Sequence, residues 1–259
     1  MTQSPVIVSQ DGDVVVITLN QPDRLNALSK LMMTEVIAAV DRAVSAGARA
    51  LVLTGAGRAF CSGADLQSDT SKGGSDMGAG LEAGVNPLLE RLAGLPIPII
   101  VAVNGAAAGA GAGLAIAGDF ALMARSAYLL LAFVNVGLIP DAGLSFLLPR
   151  LVGRQRATEM MMLGERISAE KAENWGLIYK MVDDDKLMEE TLALARRLSV
   201  GPTRSYGIMR RTLRQSLDAT YTEALRLERE AQRDAGYTED FAEGVKAFGE
   251  KRKPVFKGR

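Results

Sequence analysis

The sequence predicts an α/β protein built of stacked strand-strand-helix turns, with a helical C-terminal third. Three observations carry that prediction. Short aliphatic runs recur at 13–20 (DVVVITLN), 50–54 (ALVLT) and 98–103 (PIIVAV), bounded by glycine turns. Helical patterns with an apolar face fall between and after them. From about residue 154 strand signals fade and helical periodicity takes over. A chain of 259 residues is one large domain or one domain with an appendage. The expected division is a core of ββα turns over 1–195 and a helical region over 196–259. The spacing of the units is irregular, and no clean sequence repeat accompanies them.

The elements follow in order. Residues 13–20 alternate and are β-branched, as a strand requires. Over 29–46, Leu31, Met32, Val36, Ala39, Val40 and Ala43 recur at helical spacing, Ser29 stands at the N-cap and Gly47 at the stop. Residues 50–54 read as a buried strand closed by Gly55-Ala56-Gly57. The glycine-rich stretch 67–86 reads as a mobile surface loop or, functionally, as a substrate-gating segment. A strand over 98–103 feeds a helix of small residues that reaches about Gly118. Strands are expected over 119–124 and 127–134, then a helix over 142–152 interrupted at Pro149. Helices are expected over 154–164, 168–175, 184–199, 203–214, 217–235 and 239–249.

Composition removes several kinds of chemistry. The chain has no histidine and one cysteine, Cys61. Histidine-dependent triads, histidine-ligated zinc and an intramolecular disulfide are therefore excluded. Acid–base work falls to Asp, Glu, Lys, Tyr or Cys, and no metal site is expected. Lys+Arg and Asp+Glu are both 30, so bulk charge does not forecast nucleic-acid binding. No signal peptide is evident, and the glycines with Asn104 around 97–118 argue against a lipid span. A single free cysteine suits a reducing, cytoplasmic setting.

Four stretches could carry chemistry. Phe60-Cys61-Ser62-Gly63-Ala64-Asp65 follows a strand and a glycine turn, and its small residues would let a ligand approach backbone N–H groups. It could equally be a tight turn with Asp65 as an N-cap. The run from Asn104 to Leu114 feeds a Gly/Ala helix start that could face an anion, or simply pack closely on its neighbours. It fails the dinucleotide-binding spacing, because Leu114 stands where the third glycine is required. Asp141, in Leu138-Ile139-Pro140-Asp141-Ala142-Gly143-Leu144, is a helix N-cap or a base whose pKa apolar neighbours would raise. The C-terminal stretch 246–259 holds Lys246, Lys251, Arg252, Lys253, Lys257 and Arg259 against Glu250, which makes a solvated tail or a phosphate-binding edge. Cys61, with nothing basic beside it, reads as a small core residue.

Taken together and in this order, these stretches resemble the crotonase superfamily, the enoyl-CoA hydratase/isomerase family. Asn20-Gln21-Pro22-Asp23-Arg24-Leu25-Asn26-Ala27-Leu28 is similar to the family's opening segment. Phe60 to Asp65 resembles its F-C-x-G-x-D signature, and Ala102-Val103-Asn104-Gly105 its second signature. Glu243 to Phe256 resembles its tail, so the likeness runs from about residue 13 to 256. The resemblance implies a crotonase-like spiral of ββα turns with a C-terminal trimerisation region, assembled as a homotrimer or dimer of trimers. It implies a coenzyme A thioester substrate, with CoA part of the substrate and no other cofactor. Its two oxyanion-holding amides fall on Ala64 and Ala110, and such a donor typically contributes ~3 kcal/mol. CoA or substrate contacts fall on Arg24, Ala27, Gly63, Ala64, Asp65, Leu66, Gln67 and Ala110, with Phe248 and Lys251 supplied by a neighbouring subunit.

One departure decides the expected reaction. The two glutamates that hydratases of the family use align with Gly113 and Phe133, and neither can move a proton. An isomerase needs a single carboxylate. The run Phe133 to Gly143 is similar to the ring-epoxide isomerases of aerobic phenylacetate breakdown, in which an aspartate at the place of Asp141 is implicated in catalysis. The expected activity is isomerisation of an unsaturated or ring-epoxide acyl-CoA with Asp141 as proton shuttle. The alternatives are an enoyl-CoA hydratase with a non-standard acid–base set, or a non-catalytic acyl-CoA-binding oligomer.

Overall fold

The structure is a computed structural model that describes residues 4–64 and 76–259. Two sheets organise it. The larger has six strands, in the order β1 (Val6–Asp11), β2 (Val14–Leu19), β3 (Ala50–Gly55), β5 (Ile99–Val103), β7 (Phe120–Ala124) and β10 (Lys180–Val182). The smaller has four: β4 (Ala59–Cys61), β6 (Ala106–Ala108), β8 (Tyr128–Leu130) and β9 (Arg166–Ser168). Pairing is antiparallel for β1–β2 and β8–β9 and parallel elsewhere. The chain passes from one sheet to the other three times, β3 to β4, β5 to β6 and β7 to β8, which generates the spiral.

The reason lies in the strand compositions. The strands β3 and β5 are buried on both faces, and their continuous aliphatic sequences suit a covered parallel sheet. Helix α1 (Lys30–Ser45) buries Met32, Met33, Val36, Ala39, Val40 and Ala43. Its start is fixed by Ser29, whose side chain accepts from the Met32 N–H, a cap that contributes about 1 kcal/mol. Between the sheets' crossovers sits α4 (Ala110–Ile116), every residue of which is buried. Asn104 holds one corner of the spiral: its Oδ1 accepts from Gly55 N at 3.1 Å and its Nδ2 donates to the Gly57 carbonyl at 2.9 Å.

Several expectations change. The first strand, β1, was not foreseen, nor were the three-residue strands β4, β6, β9 and β10. The expected strand over 127–134 stops at Leu130, and Ala132–Val136 form a 3-10 turn. The loop expected over 67–86 is helical from Met77 onward: α2 (Met77–Gly80), a π turn (Leu81–Val85) and α3 (Asn86–Ala93). Asp76 caps its start, accepting from the N–H groups of Gly78 and Ala79, and Val85, Leu88 and Leu92 are buried. Residues 67–75 of that expected loop lie outside the described residues.

Helix α5 (Leu144–Leu163) runs straight through Pro149 and breaks instead at Gly153, where φ is 78° and ψ is 162°. Pro149 lies early in the helix, so its missing N–H costs little continuity, while a ψ of that size cannot propagate a helix. The C-terminal helices follow as α6 (Ala169–Asn174), α7 (Leu187–Ser199), α8 (Thr203–Ser216), α9 (Tyr221–Gly236) and α10 (Glu239–Gly249). Residues 217–220, expected to open α9, precede it; a capping box between Thr220 and Glu223 sets its start.

Candidate active site

Two distant segments are brought together first. Residues 24–28 zip onto residues 62–64: Ser62 N donates to the Leu25 carbonyl at 2.9 Å, Leu28 N donates to the Gly63 carbonyl at 2.8 Å, and Leu28 bridges Ala64. This sets Arg24 and Ala27 beside Gly63 and Ala64. The pin is Asn26, which is fully buried. Its Nδ2 donates to the carbonyls of Ala56 (2.9 Å) and Ala59 (2.8 Å), and its Oδ1 accepts from Gln21 N at 2.9 Å. Leu25 and Asn26 both take positive φ, 52° and 55°. Such backbone costs about 1 kcal/mol or more per residue and persists where surrounding bonds impose it. The sequence reading quoted Asn26 without giving it this role; an asparagine between two left-handed turn positions and a strand was the available signal.

The second approach is between residue 63 and the start of α4. A Cβ on Gly63, whose φ is 89°, would lie 2.7 Å from the Ala108 carbonyl and 3.1 Å from Ala110 N. Only glycine lets these backbones meet, and the meeting places the amides of Ala64 and Ala110 on adjoining segments. Among the described residues, neither N–H is given to a protein acceptor. Ala110 is 2% exposed, so its amide faces a largely dry interior. Two free, fixed N–H groups of this kind can stabilise an oxygen that gains negative charge.

Asp141 comes to the same helix by a third contact. A Cβ on Gly113, one turn into α4, would stand 2.5 Å from the Ala142 carbonyl and 2.6 Å from the Ala142 Cβ. The Asp141-Ala142-Gly143 turn therefore packs directly on the helix that begins with Ala110. Ala142 and Gly143 take φ of 52° and 73°. Asp141 is not a helix cap: Gly143 occupies the N-cap position and no side chain bonds there. Its Oδ1 is buried and has no hydrogen-bond partner. Burial alone pushes its pKa up from 3.8 to about 6. Of the apolar flanks expected to surround it, Ala142 and Leu144 are buried, whereas Ile139 is 83% exposed.

The positions that align with glutamates hold no proton carrier. Gly113 has no room for a side chain, and the ring of buried Phe133 lies 3.8 Å from where a Gly109 Cβ would stand. Cys61 is fully buried and its thiol is pushed up to about 12, so it is core and not nucleophile. Glu159 is paired with Lys171 at 2.7 Å, and Glu165 is exposed. Asp119 fastens β5 and α8: it accepts from Ile99 N at 2.7 Å and from Arg210 Nε at 2.7 Å. Asp65, Leu66 and Gln67 lie outside the described residues. Phe248 lines instead a trough of about 820 Å³ among α8, α9 and α10, with Met209, Leu213, Phe241 and Val245, and Lys251 follows just beyond α10. Among the described residues no cluster of acidic, cysteine or histidine side chains could hold a metal, and no helix is long and apolar enough to cross a membrane.

Comparison with known proteins agrees with this architecture. The Enoyl-CoA hydratase/isomerase family model matches residues 9–259. The chain is 45% identical over 252 residues to the 1,2-epoxyphenylacetyl-CoA isomerase of Escherichia coli K12, covering 95% of each chain. It is 44% identical over 246 residues to a Rhodobacter capsulatus protein named "Probable enoyl-CoA hydratase", again covering 95% of each. Among solved structures, the enoyl-CoA hydratase from Bacillus anthracis superposes with a TM-score of 0.92 at 32% identity, over 98% of this chain and 100% of that one. With the spiral, the paired amides and a match that runs from the second strand's approach to the last residue, the chain belongs to the enoyl-CoA hydratase/isomerase family and has the crotonase fold.

Proposed function

We propose that the chain isomerises an unsaturated or ring-epoxide acyl-CoA thioester through an enolate. The observation that carries this reading is Asp141: a buried, unpartnered carboxylate oxygen in a turn seated on the helix that starts with Ala110. In a double-bond shift, the Asp141 carboxylate takes the proton alpha to the thioester. The electron pair moves onto the thioester oxygen, which the N–H groups of Ala64 and Ala110 hold. The same carboxyl then returns the proton at another carbon of the same face, so no atom is gained or lost. The amides bind the oxygen more strongly as its charge grows, which is what lowers the barrier.

CoA is part of the substrate, and the scheme calls for no other cofactor. Arg24, Ala27, Gly63 and Ala64, with Asp65, Leu66 and Gln67, form the near side of the thioester site. Phe248 and Lys251 reach it from a neighbouring copy in a homotrimer or dimer of trimers. The helical C-terminal region supports that assembly: α9 has no buried residue in the single chain, and Phe248 is 86% exposed. The E. coli relative's name supports a ring-epoxide or unsaturated acyl group, and with it a place in phenylacetate breakdown. A hydratase reading draws on the R. capsulatus relative's name, but Gly113 and Phe133 leave it without an acid–base pair.

Asp141→Asn tests the reading. It should lower isomerisation of a 3-enoyl-CoA by about 10²–10⁴-fold while CoA-thioester binding survives; full activity in the variant would remove Asp141 from the mechanism. Wild-type kcat/KM should rise with pH through a limb near 6, where Asp141 ionises. Loss of the enoyl absorbance of a trans-2-enoyl-CoA would favour hydration, and thioester binding without turnover of any enoyl or ring substrate would favour a binder.

A further inference from the structure

The end of the chain is not a loose basic tail. Beyond α10 it turns back and is tied down at nearly every step. Lys251 N donates to the Phe248 carbonyl at 3.2 Å and Arg252 N to the Ala247 carbonyl at 3.1 Å, the paired bonds of a Schellman helix end. The left-handed position of that motif favours glycine, yet it is held here by Lys251, with φ of 55°.

Arg252 supplies the brace. Its guanidinium grips both carboxylate oxygens of Glu243, at 2.6 and 3.0 Å, and reaches Glu250 at 2.6 Å. Glu243 Oε1 also accepts from Val255 N at 2.8 Å. Further along, the carboxylate of Asp240, only 3% exposed, accepts from the N–H groups of Lys257 (2.7 Å) and Gly258 (2.8 Å). Arg49, from the turn before β3, donates to the Phe256 carbonyl at 3.2 Å. The strap therefore consumes Arg252 in ion pairs, and Arg259 pairs with Glu239 at 3.0 Å. Lys251, Lys253 and Lys257 are exposed and, among the described residues, make no ion pair.

A strained non-glycine residue survives only where its surroundings over-determine it, and such outliers gather at ligand clamps. We propose that Glu243 and Arg252 are positioning residues that brace Lys251 in its left-handed backbone so that its ammonium, beside Phe248, meets the terminal 3′-phosphate of CoA. This rests on the CoA-thioester reading above and adds what makes the lysine's placement exact enough to read a phosphate. A bidentate arginine–carboxylate fork restricts orientation as well as distance, which a lysine–carboxylate contact would not. Glu243 is the acceptor of both the fork and the returning strand, so it registers the tail against α10.

The test is binding of CoA and of 3′-dephospho-CoA by titration calorimetry, with turnover of a 3-enoyl-CoA measured separately. The wild type should bind CoA more tightly than dephospho-CoA. Arg252→Ala should weaken CoA about tenfold and leave dephospho-CoA unchanged, and Arg252→Lys should restore little. If Arg252→Ala does not fold, Lys251→Gly serves, because glycine relieves the left-handed backbone: its preference for CoA over dephospho-CoA should vanish. Equal binding of the two ligands by the wild type, or equal weakening of both in Arg252→Ala, overturns the proposal. Absence of turnover with phosphate discrimination intact would instead sink the isomerase reading and leave this one standing.

Discussion

The spiral core and the C-terminal helices are held by different forces. Around the site, α4 is entirely buried and meets its neighbours through glycines at backbone contact distance. Nothing there can shift without moving something equally packed. The C-terminal helices are held largely by polar ties. Arg210, on α8, pairs with Asp119 and donates to the carbonyls at the end of α3, Leu92 and Leu95. Arg49 donates to Thr203 Oγ1 at 2.9 Å and to the Gly201 carbonyl at 2.6 Å. The lesson is one of division of labour. Close packing gives the precision that an oxyanion site needs. Directional polar ties hold helices in register while leaving their apolar faces free to be covered by another surface.

Three substitutions probe that contrast, from the largest effect on stability to the smallest. Gly113→Ala places a methyl group against the Ala142 backbone, which cannot swing aside as a flexible side chain could. We expect a loss of about 3 kcal/mol, seen as a fall in Tm of roughly 10 °C, together with lower isomerisation because the displaced turn carries Asp141. A variant of normal stability would show that this contact is slack and weaken the picture of a rigid core.

Arg210→Ala should cost about 2 kcal/mol, since it strands the α3 carbonyls and the Asp119 carboxylate. Denaturant unfolding measures it. The core and the C-terminal helices would then unfold at separable midpoints if polar ties are what couple them; a single unshifted transition would speak against that coupling.

The smallest effect concerns Asp141 itself. Its folded-state pKa is raised from 3.8 to about 6, so the folded protein binds this proton more tightly than the unfolded chain. Stability from this group is present below the unfolded value and is lost as pH rises toward 6. Asp141→Asn should therefore be about 1 kcal/mol more stable than the wild type at pH 8, after allowing for partial solvent screening, with the difference closing near pH 4. A wild type that is the more stable protein at pH 8 would mean that the carboxylate has a stabilising partner.

Much of the core was readable in the residues. Strands β2, β3, β5 and β7 carry long aliphatic patterns, and α1 shows its stripe and its Ser29 cap. The elements that were missed are those whose local pattern is weak. Strand β9 has three residues and exists because it pairs with β8, Ser168 opposite Tyr128. The helices after Asp76 arise from a glycine-rich stretch, and burial of Val85, Leu88 and Leu92 overrides its low helix propensity. Near the C-terminus, the excess of basic residues could be counted, but not which of them the strap would neutralise.

The sequence alone determined the chemistry at hand: no imidazole, no disulfide, one exposed family pattern of small residues, and aspartate where glutamates are absent. Those follow from residue identity, which folding does not alter. Only the tertiary structure decided that Ala64 and Ala110 adjoin, that Asp141 is a buried carboxylate and not a helix cap, and that Lys251 is held in a glycine's conformation. Each of these is a contact between segments far apart in the chain, and backbone distance and burial, unlike composition, exist only once the spiral has closed.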